Sequence, residues 1–178
     1  MLRANPTHIS PCGTSGRRVD HELHTPNLEV TNVTGSTIGT RSSVMPMLAY
    51  ENPAAAIEWL ERAFGFREDR EERYTATDGT IGHAQMQAGK GLITLASPTP
   101  DYESPARHRE TCAAAAKWSR VPWVIDGVQV EVDDVDAHYE RAQAEGARLL
   151  TPIRDEPYGR LYNAEDVEGH RWMFIQPA

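Results

Sequence analysis

Cysteine is nearly absent. Cys12 and Cys112 are the only two in 178 residues, and they stand far apart in no metal or redox spacing. No apolar run approaches the ~20 residues of a membrane span. The first residues hold no apolar stretch of the secretory kind, so a cytoplasmic setting is expected. Basic residues are in deficit: 18 Lys and Arg against 26 Asp and Glu give a formal net charge of −8. That balance argues against nucleic acid and anionic membrane as partners, because both attract basic surfaces. It is permissive for cationic ligands. The length suffices for one domain with a real core.

What is present falls into a polar arm and a patterned body. Residues 1–43 are rich in Gly, Pro, Ser, Thr and Asn, with His8, His21 and His24 scattered among them. Those histidines fit no ligand spacing. Only Leu28 to Val33 resembles a strand, so this stretch reads as an N-terminal arm or extension. From residue 44 the pattern sharpens. A strand is expected at Val44 to Tyr50. A helix follows, capped by Asn52, opened by Pro53 and stopped by Gly65. Ala56, Ile57, Leu60, Ala63 and Phe64 form its apolar stripe. Strands are expected at Phe66 to Thr75, Gly82 to Ala88 and Leu92 to Ser97, with turns at Asp78-Gly79 and Gly89-Lys90-Gly91. A connector, residues 99–126, holds one short helix near Thr111 to Trp118.

The same order then returns. Gly127 to Val132 reads as a strand and Val135 to Glu145 as a helix. Strands are expected again at Arg148 to Ile153, Arg160 to Asn163 and Arg171 to Gln176. Asp134 caps the second helix and Gly146 suits its left-handed end. The expected fold is therefore α+β. Two βαβββ units, 44–98 and 127–177, lie in one domain, 44–178, with helices outside and the sheets curved around a shared cup.

Four phrases in this order resemble the vicinal oxygen chelate superfamily of glyoxalase I, bleomycin-resistance proteins and extradiol dioxygenases. Ala56-Ile57-Glu58-Trp59-Leu60-Glu61-Arg62-Ala63-Phe64-Gly65-Phe66 is similar to that family's first helix and its FYxxxxGF ending. His83-Ala84-Gln85-Met86 is similar to a phrase of the PhnB-like branch. Val132-Asp133-Asp134-Val135-Asp136 resembles the start of the second helix. Glu165-Asp166-Val167-Glu168-Gly169-His170-Arg171-Trp172 resembles the turn before the last strand. The resemblance covers about 44–177. It implies a small-molecule ligand and a homodimer. It also implies metal ligands on the first and last strand of each unit. Those places carry Met45, Thr94 or Ala96, Gly127 and Met173, none of which suits Zn, Fe, Mn or Ni. No metal and no cofactor are expected, apart from a shifted set built on His83 and Glu131.

Strand alternation assigns faces. Val128, Val130 and Val132 face the helix, which turns Gln129 and Glu131 into the cup. The same parity puts Met45, Met47, His83, Gln85, Arg171 and Met173 in the cup, and Trp172 and Phe174 beneath the helices. His138 is expected to be exposed on its helix. His170 is expected to orient its turn, and Trp123 and Tyr162 to close a rim. Methionine stems suit adaptable apolar binding, and a few polar groups fix orientation. The expected ligand set is thus Met45, Met47, His83, Gln85, Gln129, Glu131, Met173, Trp123 and Tyr162. Three readings follow: a protein that sequesters a small organic molecule, cationic ones included; a lyase or isomerase with Glu131 or His83 as general base; and a non-catalytic accessory subunit.

Overall fold

The computed structural model describes residues 44–122 and 126–178. The arm, with its strand-like Leu28 to Val33, and the rim candidate Trp123 lie outside the described residues. In the first unit, β1 (Met47–Ala49) leads into α1 (Pro53–Phe64). The Asn52 side chain accepts the Ala55 backbone N–H at 3.1 Å and caps α1, and Pro53 needs no N–H at the first turn. Ala56, Ile57, Leu60, Ala63 and Phe64 are all buried. Gly65 ends the helix at φ 68°. A Cβ there would come within 2.9 Å of the Arg141 guanidinium, so both space and backbone demand glycine.

β2 (Arg67–Thr75), β3 (Ile81–Ala88) and β4 (Gly91–Ala96) complete a four-stranded sheet in the order β1-β4-β3-β2, with β1 parallel to β4. β2 is its edge, and residues 67–73 are charged without a break. A charged edge resists pairing with another chain.

The connector contains two helices where one is expected from sequence. Ser104 caps α2 (Pro105–Thr111), and α3 (Ala113–Trp118) follows after Cys112 turns extended. In the second unit come β5 (Gly127–Glu131), α4 (Val135–Ala144), β6 (Arg148–Leu149), β7 (Arg154–Glu156), β8 (Gly159–Glu165) and β9 (Arg171–Pro177). The sheet order is β5-β9-β8-β6, with β7 also on β8. The strand expected at 148–153 is broken. Leu150 N and Thr151 N both donate to Asn163 O, at 2.8 and 3.3 Å, so two residues oppose one, as in a bulge. Pro152 then has no N–H for the ladder.

One aromatic core joins the units. The Phe64 ring lies 4.9 Å from Trp59, 4.7 Å from Phe174 and 5.8 Å from Trp172. Gly89, at φ 58°, brings the β3–β4 turn against the end of β5, where a Cβ would stand 2.7 Å from Glu131 O. His138 of α4 is 4% exposed, not on the surface as its helix position suggests. Its Nε2 faces Phe64 O at 3.1 Å and its Nδ1 faces the Tyr162 hydroxyl at 2.7 Å. A carbonyl only accepts, so Nε2 carries the proton and Nδ1 accepts from Tyr162.

Burial, assisted by the Arg141 charge, pushes the His138 pKa down to about 4. An unfolded histidine titrates near ~6.5. Between these values the unfolded chain takes up a proton that the folded chain refuses, so stability falls as pH drops below about 6.5. His138→Gln keeps both hydrogen bonds possible and removes this titration. The stability advantage of wild type over the variant, from urea unfolding, should therefore shrink by about 2 kcal/mol between pH 7.5 and pH 5. A constant difference across that range would show that His138 is not the buried neutral group.

Candidate functional site

The face of each sheet turned away from α1 and α4 is built of cross-strand rows. In the first sheet, Met47 of β1 lies opposite Thr94 of β4, and Thr94 opposite Gln85 of β3. In the second, Gln129 of β5 lies opposite Met173 of β9, and Met173 opposite Asn163 of β8. The neighbouring rows are Glu131–Ile175–Leu161 and Gly127–Arg171–Glu165. Alternation follows from the helix-side core: Ala84, Met86, Val130, Trp172 and Phe174 are all buried, so their neighbours point the other way.

This inner face gathers Met47, Gln85, His83, Gln129, Glu131 and Met173 from the expected set. Met47 is 84% exposed; Met45, His83, Gln85 and Met173 are half-buried and Gln129 is exposed. Glu131 is 52% exposed along its side chain and lies 3.8 Å from Lys90 Nζ. Tyr162 is not at a rim. It is wholly buried opposite Phe174, with its hydroxyl on His138.

Metal chemistry is tested by the side chains themselves. Counting from the helix caps gives Met45, Gly127 and Met173, with Thr94 or Ala96. Sliding to the strand register gives Met47, Thr94, Gln129 and Met173. Neither set offers a histidine or a carboxylate, so neither fits a hard or borderline divalent ion. His83 and Glu131 stand in different sheets. Among the described residues no group of three or more His, Cys, Asp or Glu side chains could hold a metal ion.

Sequence reasoning missed a second feature, a cavity of about 630 Å³ between the connector helices and the start of β9. Glu165 sits at its floor, 1% exposed. Arg109 of α2 donates to it at 2.5 Å, Arg148 of β6 at 2.7 Å, and Arg171 of β9 lies 3.3 Å away. Arg171 also donates to Ser119 O and Val121 O, just past α3. Glu165 thus pins the connector over the second sheet. A buried carboxylate is tolerated because it is paired this fully. The back wall is the turn before β9. There Asp166 accepts from the Tyr50 hydroxyl (2.6 Å), the Trp172 indole (3.1 Å) and two backbone N–H groups. Burial pushes the Asp166 carboxyl up against these donors. His170 Nε2 donates to Ala49 O at 2.8 Å, holding the turn to β1.

Two βαβββ units of this order around such a face define a glyoxalase-type fold. The chain belongs to the Glyoxalase/Bleomycin resistance protein/Dioxygenase superfamily, whose family model matches residues 43–174. An uncharacterised protein of Mycobacterium bovis is 27% identical over 145 residues, covering 79% of this chain and 86% of that protein. The crystal structure of TioX from Micromonospora sp. ML1 is 36% identical, with a TM-score of 0.56, over 77% of this chain and 97% of that one. The fosfomycin resistance protein FosX of Listeria monocytogenes shares the fold at 13% identity and a TM-score of 0.52, over 79% and 94% of the two chains.

The side chains on the strand rows lead to a direct test. Protein purified without chelator should carry first-row transition metal far below one ion per chain by elemental analysis. A stoichiometric ion would overturn the reading of the rows.

Proposed function

We propose that this protein binds a small organic molecule on the inner face of its sheets and holds it without chemical change. The observation that carries the reading is two cross-strand pairs, Met47–Thr94 in the first sheet and Gln129–Met173 in the second, which offer soft apolar contact and neutral hydrogen-bonding groups where a metal enzyme needs ligands. Methionine surfaces adapt to ligands of varied shape. Glu131, beside the exposed Lys90, supplies a counter-charge for a cationic ligand. A lyase or isomerase using Glu131 or His83 as base is less well supported. Glu131 is half-exposed and lies 3.8 Å from Lys90 Nζ, so it stands open to water rather than in a closed reaction site.

A panel of cationic and neutral organic molecules titrated by calorimetry tests this. Glu131→Gln should weaken cations by about 1 kcal/mol, the modest value that half exposure and salt screening leave. Lys90→Ala should strengthen them, and turnover should be absent in every case. If Glu131→Gln abolishes turnover of some compound and spares its affinity, the protein is an enzyme and the sequestration reading is wrong.

A homodimer belongs to the same reading. β1 ends the strand order of the first sheet, and an open sheet edge is suited to cover by a second copy. Light scattering at micromolar concentration should give twice the chain mass; a monomer there sinks this part of the proposal.

A further inference from the structure

The cavity under the connector lies at one end of the second sheet, over the pair Arg171 and Glu165, and no described residue of the expected ligand set lines it. Its volume of about 630 Å³ lies within the ~300–1,000 Å³ usual for small-molecule sites. Its walls are aromatic and small: Trp118 of α3, Tyr102, Pro105 and Ala115. Trp118 is 61% exposed, a large indole surface left at a concave wall rather than packed away. Tyr102 is anchored by its hydroxyl to Ala49 O at 2.9 Å.

The charges around the cavity sort into spent and available. Glu165 is saturated by its guanidinium partners. Arg171 is spent on Glu165 and on two backbone carbonyls, and Arg109 is spent on Glu165. Glu103 makes only a long 3.4 Å approach to His108. Asp126 lines the cavity, is exposed, and forms no ion pair among the described residues. The three guanidiniums outnumber the one carboxylate they share, but Arg109 and Arg171 are turned inward onto it; the exposed carboxylates of the lining, Glu103 and Asp126, stand with an open indole face. An aromatic face attracts cations through its quadrupole, and indole does so best.

We propose that this cavity is a second binding site, which takes a planar aromatic cation with its ring on Trp118 and its charge toward Asp126 and Glu103. The site is independent of the inner-face reading, because the two are probed by different residues.

Three molecules of one shape test it on the full-length protein by titration calorimetry at low salt. They are the 1-methylquinolinium cation, uncharged 1-methylnaphthalene and the 1-naphthoate anion. The cation should bind most tightly. Trp118→Ala should weaken it roughly tenfold, with Trp118→Phe recovering part of the loss. Asp126→Asn should weaken it about threefold and more at low salt than at high. Glu131→Gln should leave it unchanged. Both substituted positions are exposed, so folding should survive, and thermal melts would verify that. The proposal is overturned if the anion binds best, if Trp118→Ala has no effect, or if no heat appears with millimolar cation. If Glu131→Gln instead removes the binding, this site is wrong and the inner-face reading is upheld.

Discussion

Everything in the domain hangs on the contact between the end of α1 and the middle of α4. Phe64 closes α1 and places its ring among Trp59, Trp172 and Phe174, which come from both units. Its carbonyl is then taken by His138 from the second unit, and Arg141 donates to Ala63 O beside it. Trp59 returns the connection by donating to Glu145 O at 2.9 Å. Neither unit can bury its own sheet alone, since each supplies one helix. The helices must therefore meet, and polar groups at their meeting must be fully paired to stay dry.

Much of this was legible in the chain. The caps Asn52 and Asp134 and the stripe from Ala56 to Phe64 locate both helices, because caps and periodicity are local properties. The parity that puts Trp172 and Phe174 beneath the helices is local too. His138 was legible and misread: it lies three residues after Val135 and four before Ala142, both fully buried, and so shares their face. Tyr162 went astray because its face depends on pairing with Phe174 across the sheet, not on its neighbours in sequence. The connector's Ser104-Pro105 is an ordinary helix start that the alanine run overshadowed. The Glu165 cluster gave no signal at all. Its partners stand 56, 17 and 6 positions away, Arg109 before it in the chain and Arg171 after it, and only the folded backbone assembles them.

The two faces of the sheets carry different obligations. On the helix side, large side chains are at or near zero exposure and interlock across both units. On the other side the rows mix half-open residues such as Met173 and Gln85 with buried ones such as Leu161 and Asn163, and Glu165 is locked by ion pairs at one end. The connector exploits that lock. It is held by the Arg109–Glu165 ion pair and by hydrogen bonds such as Ala106 N–H to Glu168 O and Arg171 to Ser119 O, and α2 and α3 bury no hydrophobic residue within their own lengths. A cap fixed mainly by polar contacts leaves a hollow beneath it.

This division has a consequence for how such a chain can change over generations. A substitution on the helix side creates a cavity or a clash in a close-packed core and costs stability at once. On the proposed binding reading, a substitution at Met47, Gln85, Gln129 or Met173 changes what the inner face recognises, and none of these four is part of the buried core. Selection can therefore rewrite the inner face while the outer one is held. FosX shares only 13% of its residues with this chain and still shares the fold, so the architecture tolerates wide change in sequence.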